Sequence, residues 1–436
     1  MKISVKNNPD HSFINKGLVV FLCATPWFFV TLEDWSSGIL IVGFLLCSIV
    51  HFLPHAAYPI LHRQAEKQRL GVMVAFVVPS LLITLAGLAR QDLDGSMIDS
   101  SMRFVVAIPI FMFVLRHRMR VSHWLYGACI VSLWLTFLNI VFFPQPERWG
   151  AGRLATAFSD PLVLGYSSLL FAAAALASLF WMPSTSRWWT GFKISAAMLG
   201  AYLSIRTGSR TGWLALPLLL LMFTVVHRQH RLERGVKIAA ALGGVVVMLV
   251  AVGVWKYVPS VSTRIQEMVA GILSYSLHGM APDTSTGLRI TFLRMAWVLL
   301  SQSPWDALVG LGETFARTSP MPEVVRAFAS PFAIHMAFSS GFHNEIVTVA
   351  VGSGVLAGLS MGGLFIYPAS VFFHYLRSPD WETRACAHLG MIVVVCFGIS
   401  SLSTEVFGLK HTVSFYALIL ALLLGACIGR NHHPNR

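Results

Sequence analysis

The chain has 436 residues, of which 56% are hydrophobic and only 12% charged, and its mean hydropathy is +0.68. A soluble chain is about a quarter charged, so this composition excludes an ordinary globular domain and points to an integral membrane protein. The net charge of +13 has to be weighed against membrane orientation before it implies any partner.

A transmembrane helix needs about 20 mostly apolar residues. Twelve runs qualify, at approximately 17–33, 36–54, 69–89, 101–116, 122–143, 160–182, 188–206, 210–227, 236–256, 342–373, 382–402 and 411–429. The charged start, Met1 to Lys16, leads directly into apolar sequence with no small-residue cleavage site, so that run is read as the first span. The tenth run is too long for one perpendicular span and is expected to tilt or to extend past the bilayer. With the N-terminus inside, nineteen of the 32 basic residues fall on the cytoplasmic side, among them Arg116, Arg118, Arg120, Arg228, Arg231 and Arg234. That asymmetry fits an even number of spans with both termini cytoplasmic, and it explains the basic balance without nucleic acid.

The expected architecture is therefore an all-α polytopic membrane protein of about twelve transmembrane helices. Spans one to nine occupy 1–256, a long outer helical segment 257–341, and spans ten to twelve with a cytoplasmic tail 342–436. The six cysteines, Cys23, Cys47, Cys129, Cys386, Cys396 and Cys427, fall in or at the ends of spans and form no CxxC pair. They read as packing residues, with no metal site and no disulfide framework.

The outer polar groups are what topology leaves unexplained, because an arginine near a span end is costly without a partner. Asp92-Leu93-Asp94 has the spacing of a carboxylate pair that holds a divalent cation on a diphosphate, but with Asp99 nearby it reads as an acidic loop. In Arg153 to Pro161, Asp160 and Pro161 read as a helix cap and first turn, while Arg153 is open to an anion. Ser204 to Gly212 is a tight turn between spans seven and eight, permitted by Gly208, with Ser209 as a cap. It sets Arg210 in the first turn of span eight, where a helix N-terminus and a guanidinium together bind anions. The plainer alternative is that Arg206 and Arg210 reach to lipid headgroups.

Thr284 to Trp297 is a polar cap followed by an amphipathic helix of about four turns that ends near Ser303-Pro304. Arg289 lies in its first turn, where a cation opposes the helix dipole, and a residue that breaks a local rule is a candidate for function. Arg294 reads as a solvated face residue. The polar segment then meets the tenth run at Ser340-Gly341-Phe342-His343-Asn344-Glu345. A histidine titrates near neutrality, so His343 is placed to take a proton at a membrane surface, against the alternative of a capping or interfacial histidine. His335 is the nearest outer rival, with no polar cluster after it. There is no GxxxxGK[ST] loop and no HExxH pair, and Gly310-Leu311-Gly312 reads as a turn.

Several outer arginines, one titratable histidine and no evident metal cluster indicate chemistry on an anionic ligand. Arginine forks bind phosphate oxygens through charge-assisted bonds worth roughly 1.5–3 kcal/mol each. The cytoplasmic side carries no nucleotide loop, so a phosphate donor acting outside is expected to be lipid-linked.

Arg153-Leu-Ala-Thr-Ala-Phe-Ser-Asp-Pro161, Thr207-Gly-Ser-Arg-Thr-Gly212, Gly310-Leu-Gly-Glu-Thr-Phe315, and His343-Asn344 followed by Gly352-Ser353-Gly354 resemble the O-antigen ligase and O-antigen polymerase family of membrane glycosyltransferases. The resemblance runs from about 150 to 410. It implies a metal-independent, inverting enzyme without a cofactor, GT-C-like in fold, in the bacterial inner membrane with its active site facing the periplasm. Its donor would be undecaprenyl-diphosphate-linked O-antigen and its acceptor a sugar hydroxyl of lipid A–core. On this resemblance His343 would be the general base, Arg210 a diphosphate ligand and Arg289 a looser second one. Arg206, Arg153 and Asn344 complete the expected substrate-binding set. Val347 stands where the family often has leucine, four residues after the histidine. A polymerase or a protein O-oligosaccharyltransferase would share the donor and the chemistry. A transporter would instead place its polar groups near the bilayer midplane.

Overall fold

The structure, a computed structural model, describes residues 9–52, 63–93, 95–145, 152–183, 186–209, 212–229, 266, 269, 273, 282–312, 315 and 321–430. The described residues form helices joined by turns and irregular connections, and contain no strand. In chain order the helices are α1 Pro9–Cys23, α2 Trp35–Phe52, α3 Arg63–Arg90, α4 Gly95–His117, α5 Ser122–Phe142, α6 Pro161–Trp181, α7 Arg187–Arg206 and α8 Leu216–Gln229, the last entered through a 3-10 turn at Gly212–Ala215. They continue as α9 Ser285–Leu300, α10 Pro304–Val309, α11 Glu323–Arg326, α12 Pro331–Ser340, α13 Glu345–Ser353, α14 Val355–Tyr375, α15 Trp381–Ser401 and α16 Lys410–Arg430.

Seven of these, α3, α4, α5, α6, α14, α15 and α16, are long and apolar enough to cross a membrane. They correspond to seven of the twelve expected runs and make this a multi-pass, all-helical membrane protein. Three shorter apolar helices, Ile14–Cys23, Trp35–Val50 and Gly212–Val226, stand at the first, second and eighth runs. The ninth expected run, 236–256, lies outside the described residues.

Two runs fold differently from expectation. The first was read as one span over 17–33, but the helix ends at Cys23 and the chain continues through turns. Thr25 Oγ1 donates to the Leu22 carbonyl at 2.6 Å, and Pro26 has no N–H to extend the ladder. The long tenth run, expected to tilt or to extend past the bilayer, is not one helix. It is broken at Gly354, which has φ +93 and separates the nine-residue α13 from the spanning α14. A Cβ at Gly354 would sit 2.0 Å from the Leu308 carbonyl, so α10 passes where only glycine fits. The Gly310–Gly312 turn docks on the C-terminal end of α13. Leu311 N donates to the Val351 carbonyl at 2.7 Å and Gly312 N to that of Gly352 at 3.1 Å, satisfying carbonyls that a broken helix leaves over.

The core has two parts. α16 is the central post, buried from Thr412 to Gly429 and packed against α4, α15 and α2. Phe29, Phe397, Phe415 and Tyr416 stack around it. A second apolar cluster gathers Phe292, Met295 and Leu299 of α9 with Val325, Phe328, Ala333 and Ala337, and extends to Phe342 and Val351. The segment between α8 and α13 therefore has a small core that seats the junction before α13.

Several charged groups near helix ends are partnered, as the cost of a lone charge in lipid favours. Arg90 at the end of α3 pairs with Asp306 of α10 at 3.0 Å, tying the connecting segment to the bundle. Arg103 pairs with Asp99 at 2.9 Å, so Asp99 serves a helix face. The buried Glu382 accepts from the backbone N–H groups of Val121 and Ser122 at 2.9 and 3.0 Å, satisfying two donors at the start of α5. All six cysteines are buried and unbridged, as their placement in spans implied.

Candidate functional site

Three pieces of chain meet at the junction before α13. The first is α9, capped by Thr284, whose side chain accepts from Gly287 N at 3.2 Å. The second is 341–348. Gly341 (φ +80) ends α12 and His343 (φ +50) follows two residues later, so the chain reverses in two left-handed steps. Histidine tolerates that region better than most residues, and a non-glycine held there marks a site worth testing for function. The third is the turn 402–408 between α15 and α16.

The contacts between the three are polar. Asn344 caps α13, its Oδ1 accepting from Val347 N at 3.1 Å, while its Nδ2 donates to the Leu402 carbonyl at 3.3 Å. Asn344, expected to bind substrate, thus caps its own helix with one end of its amide and ties the junction to the turn with the other. Arg289 Nη2 donates to the next carbonyl, that of Ser403, at 3.4 Å, and burial lowers the Arg289 pKa. His343 packs its ring against Phe292, centroids 5.6 Å apart at 31°. Its Nδ1 faces Glu405 Oε2 at 3.7 Å. Thr348 Oγ1 donates to Glu405 Oε1 at 2.9 Å and accepts from Phe342 N at 3.0 Å. The imidazole keeps 27% of its side-chain surface accessible, enough to meet a ligand.

Glu345, beside His343, is buried instead. Its Oε2 accepts from Phe407 N at 2.9 Å. Burial pushes its carboxyl up to about 8, with the Glu405 charge adding to the rise and the Phe407 N–H opposing it. It is thus a neutral acid near pH 7, held in place as structure.

The remaining expected residues lie elsewhere. Arg153 Nε donates to the Thr207 carbonyl at 3.1 Å and Leu154 N to that of Arg206 at 3.1 Å. Arg153 is therefore a cation at the C-terminal end of α7, where the dipole favours it. Arg206 is exposed on the last turn of α7. Among the described residues, neither contacts His343. Arg210 lies outside the described residues, as does Asp94 of the acidic pair. The turn flanking Arg210 is left-handed at Gly208 (φ +65), and a Cβ on Gly165 of α6 would meet Ser209 Cβ at 2.7 Å, so turn and α6 are in close contact. Asp160 caps α6, accepting from Leu162 N at 2.6 Å and Val163 N at 3.0 Å, with Pro161 in the first turn as expected. Arg294 is not a solvated face residue: its guanidinium stacks 4.1 Å above the Phe328 ring. His335 is exposed on α12.

Sequence reading missed Glu405. It is 62 residues from His343, and only its being an ionisable residue between two apolar spans singled it out.

Fold and site together define a multi-pass membrane protein with a histidine- and arginine-bearing polar site where a long connecting segment meets the bundle. Residues 195–362 match the family model described as O-antigen ligase. That stretch contains the Ser209-Arg210 turn, Arg289, His343 and Asn344. The Arg153 to Pro161 motif and Glu405 fall outside it, so the match is narrower than the resemblance over 150–410. No curated protein matches the chain.

Proposed function

We propose that this protein is an O-antigen ligase that transfers a polysaccharide from undecaprenyl diphosphate to a sugar hydroxyl of lipid A–core, on the periplasmic face of a bacterial inner membrane. The observation that carries this reading is the convergence of His343 and Arg289 on one turn, both inside the matched stretch. His343 takes the proton of the acceptor hydroxyl. The hydroxyl oxygen bonds to the anomeric carbon from the face opposite the leaving group. The carbon–oxygen bond to the diphosphate breaks, and its electron pair leaves with the phosphate. Arg210 and Arg289 hold the developing charge, which is electrostatic catalysis by fixed cations. Arg206 and Arg153, at the end of α7, line the approach of the donor. A general base contributes typically ~10²–10⁴-fold.

The test is transfer by purified protein from lipid-linked glycan to purified lipid A–core in EDTA. Capped core is expected. Elongated lipid-linked glycan with uncapped core would make the protein a polymerase, and loss of activity restored by Mg²⁺ would bring the Asp92 pair into the mechanism. His343→Gln keeps a hydrogen bond but no usable basicity, so it is expected to fold and to cap no core. Near-wild-type transfer by that variant would remove His343 as the base.

A further inference from the structure

We propose that Glu405 is the positioning residue for His343, holding the imidazole with Nδ1 turned toward the carboxylate and Nε2 toward the acceptor. The proposal rests on the reading of His343 as the base. Glu405 lies outside the stretch that matches the family, so the tertiary structure alone brings it into the site.

Every part of Glu405's environment fixes its carboxylate in one place. Oε1 accepts from Thr348 Oγ1 at 2.9 Å, and that hydroxyl is itself oriented by accepting from Phe342 N. The chain passes so close at Gly341 that a Cβ there would lie 2.4 Å from Oε1 and 2.7 Å from the carboxyl carbon. Glycine at 341 thus leaves the carboxylate its room. Oε2 is directed at His343 Nδ1, 3.7 Å away. That separation is a few tenths of an ångström beyond a hydrogen bond and within ion-pair reach once the ring carries a proton on each nitrogen. The ring is held on its flank by Phe292.

The arrangement selects a tautomer. A carboxylate facing Nδ1 favours the proton there, which leaves the lone pair on Nε2. In the transfer step the acceptor's proton moves to Nε2 as its oxygen bonds to the anomeric carbon and the diphosphate departs with the bonding pair. The Nδ1 proton stays on the ring, and the imidazolium formed sits against the Glu405 charge. This is the orienting role that a carboxylate has toward a catalytic histidine in other acid–base systems, where an amide in its place leaves the geometry intact and lowers turnover sharply. Glu345 is no substitute: its oxygen is engaged with Phe407 N.

The experiment compares Glu405→Gln, Glu405→Asp, His343→Gln and the double variant Glu405→Gln/His343→Gln, with purified protein, lipid-linked glycan and lipid A–core. Glu405→Gln is expected to lower kcat by ~10²–10⁴-fold while KM for both substrates stays within about twofold. Glu405→Asp is expected to recover part of the loss. The double variant is expected to be no slower than His343→Gln alone, because residues acting as a unit are non-additive. If Glu405→Gln fails to fold, Thr348→Val reads the same contact: it frees Oε1 and is expected to lower kcat about five- to tenfold at unchanged KM.

An inert His343→Gln beside a fully active Glu405→Gln or Thr348→Val would overturn this proposal and leave His343 as the base. Active variants at both 343 and 405 would instead overturn the base reading. A raised KM with unchanged kcat in Glu405→Gln would make Glu405 a binding residue and also overturn the positioning role.

Discussion

Arg289 and Ser403 are 114 residues apart in sequence and joined by a hydrogen bond from the guanidinium to the main-chain carbonyl. The bond explains why a cation is tolerated in the first turn of α9. Arg289 opposes the dipole of its own helix but lies just past the C-terminal end of α15, where the partial charge is negative. Arg294, on the same helix, spends its charge on the Phe328 ring. Arg289→Ala is expected to weaken donor use by at least tenfold, and Arg294→Ala to leave transfer within about threefold of wild type while lowering thermal stability by roughly 0.5–2 kcal/mol, the range for a half-buried cation–π contact. Transfer kinetics and melting curves of the two variants check this, and an essential Arg294 with a dispensable Arg289 would reverse the assignment.

Arg210 is expected to be irreplaceable in transfer. Arg210→Ala should abolish core capping. Arg210→Lys should not restore it, because an ammonium lacks the planar fork that grips two phosphate oxygens at once. Full activity of the lysine variant, measured on protein inserted at wild-type level, would show that charge alone suffices.

Glu345 predicts a pH dependence of stability. Its folded carboxyl titrates at about 8 against an ordinary value of 4.5, so the folded state holds a proton that the unfolded chain releases. That contribution is fully present below about pH 4.5 and is lost as pH rises through about 8. Wild-type melting temperature in detergent is therefore expected to fall between roughly pH 5 and 8 more steeply than that of Glu345→Gln, whose side chain is neutral throughout. Equal slopes would mean that Glu345 is not the group responsible.

Orientation is testable with cysteines, since the six native ones are buried. Ser285, Ser339, Ser186 and Pro379 are all exposed. Ser285→Cys and Ser339→Cys are expected to react with an impermeant thiol reagent added from the periplasmic side. Ser186→Cys and Pro379→Cys are expected to react only after the membrane is opened. Reaction of Pro379→Cys from outside would invert the bundle and move the site to the cytoplasm.

Much of the fold was legible in the chain because lipid imposes a simple rule. Backbone polar groups must be satisfied within each span, so a spanning segment is a helix and its length is set by the bilayer. Composition alone therefore located α3 to α6 and α14 to α16, and capping chemistry located the starts of α6 and α9. The same local chemistry singled out the His343 junction, where a polar segment meets an apolar one. What the chain did not disclose was decided by contacts between distant segments. The tenth run breaks at Gly354 because the Leu308 carbonyl occupies the space a side chain would need. Asn344 caps α13 with its amide oxygen, as a local signal can show, but its amide nitrogen also reaches the carbonyl of Leu402 in the turn after α15, which no local signal shows. Glu405 had no motif around it and acquires its place beside His343 only when α15 and α16 fold back against the junction. Periodicity and caps act over a few residues and can be read in order, whereas the partner of a buried or half-buried charge is chosen by packing, which a one-dimensional sequence does not display.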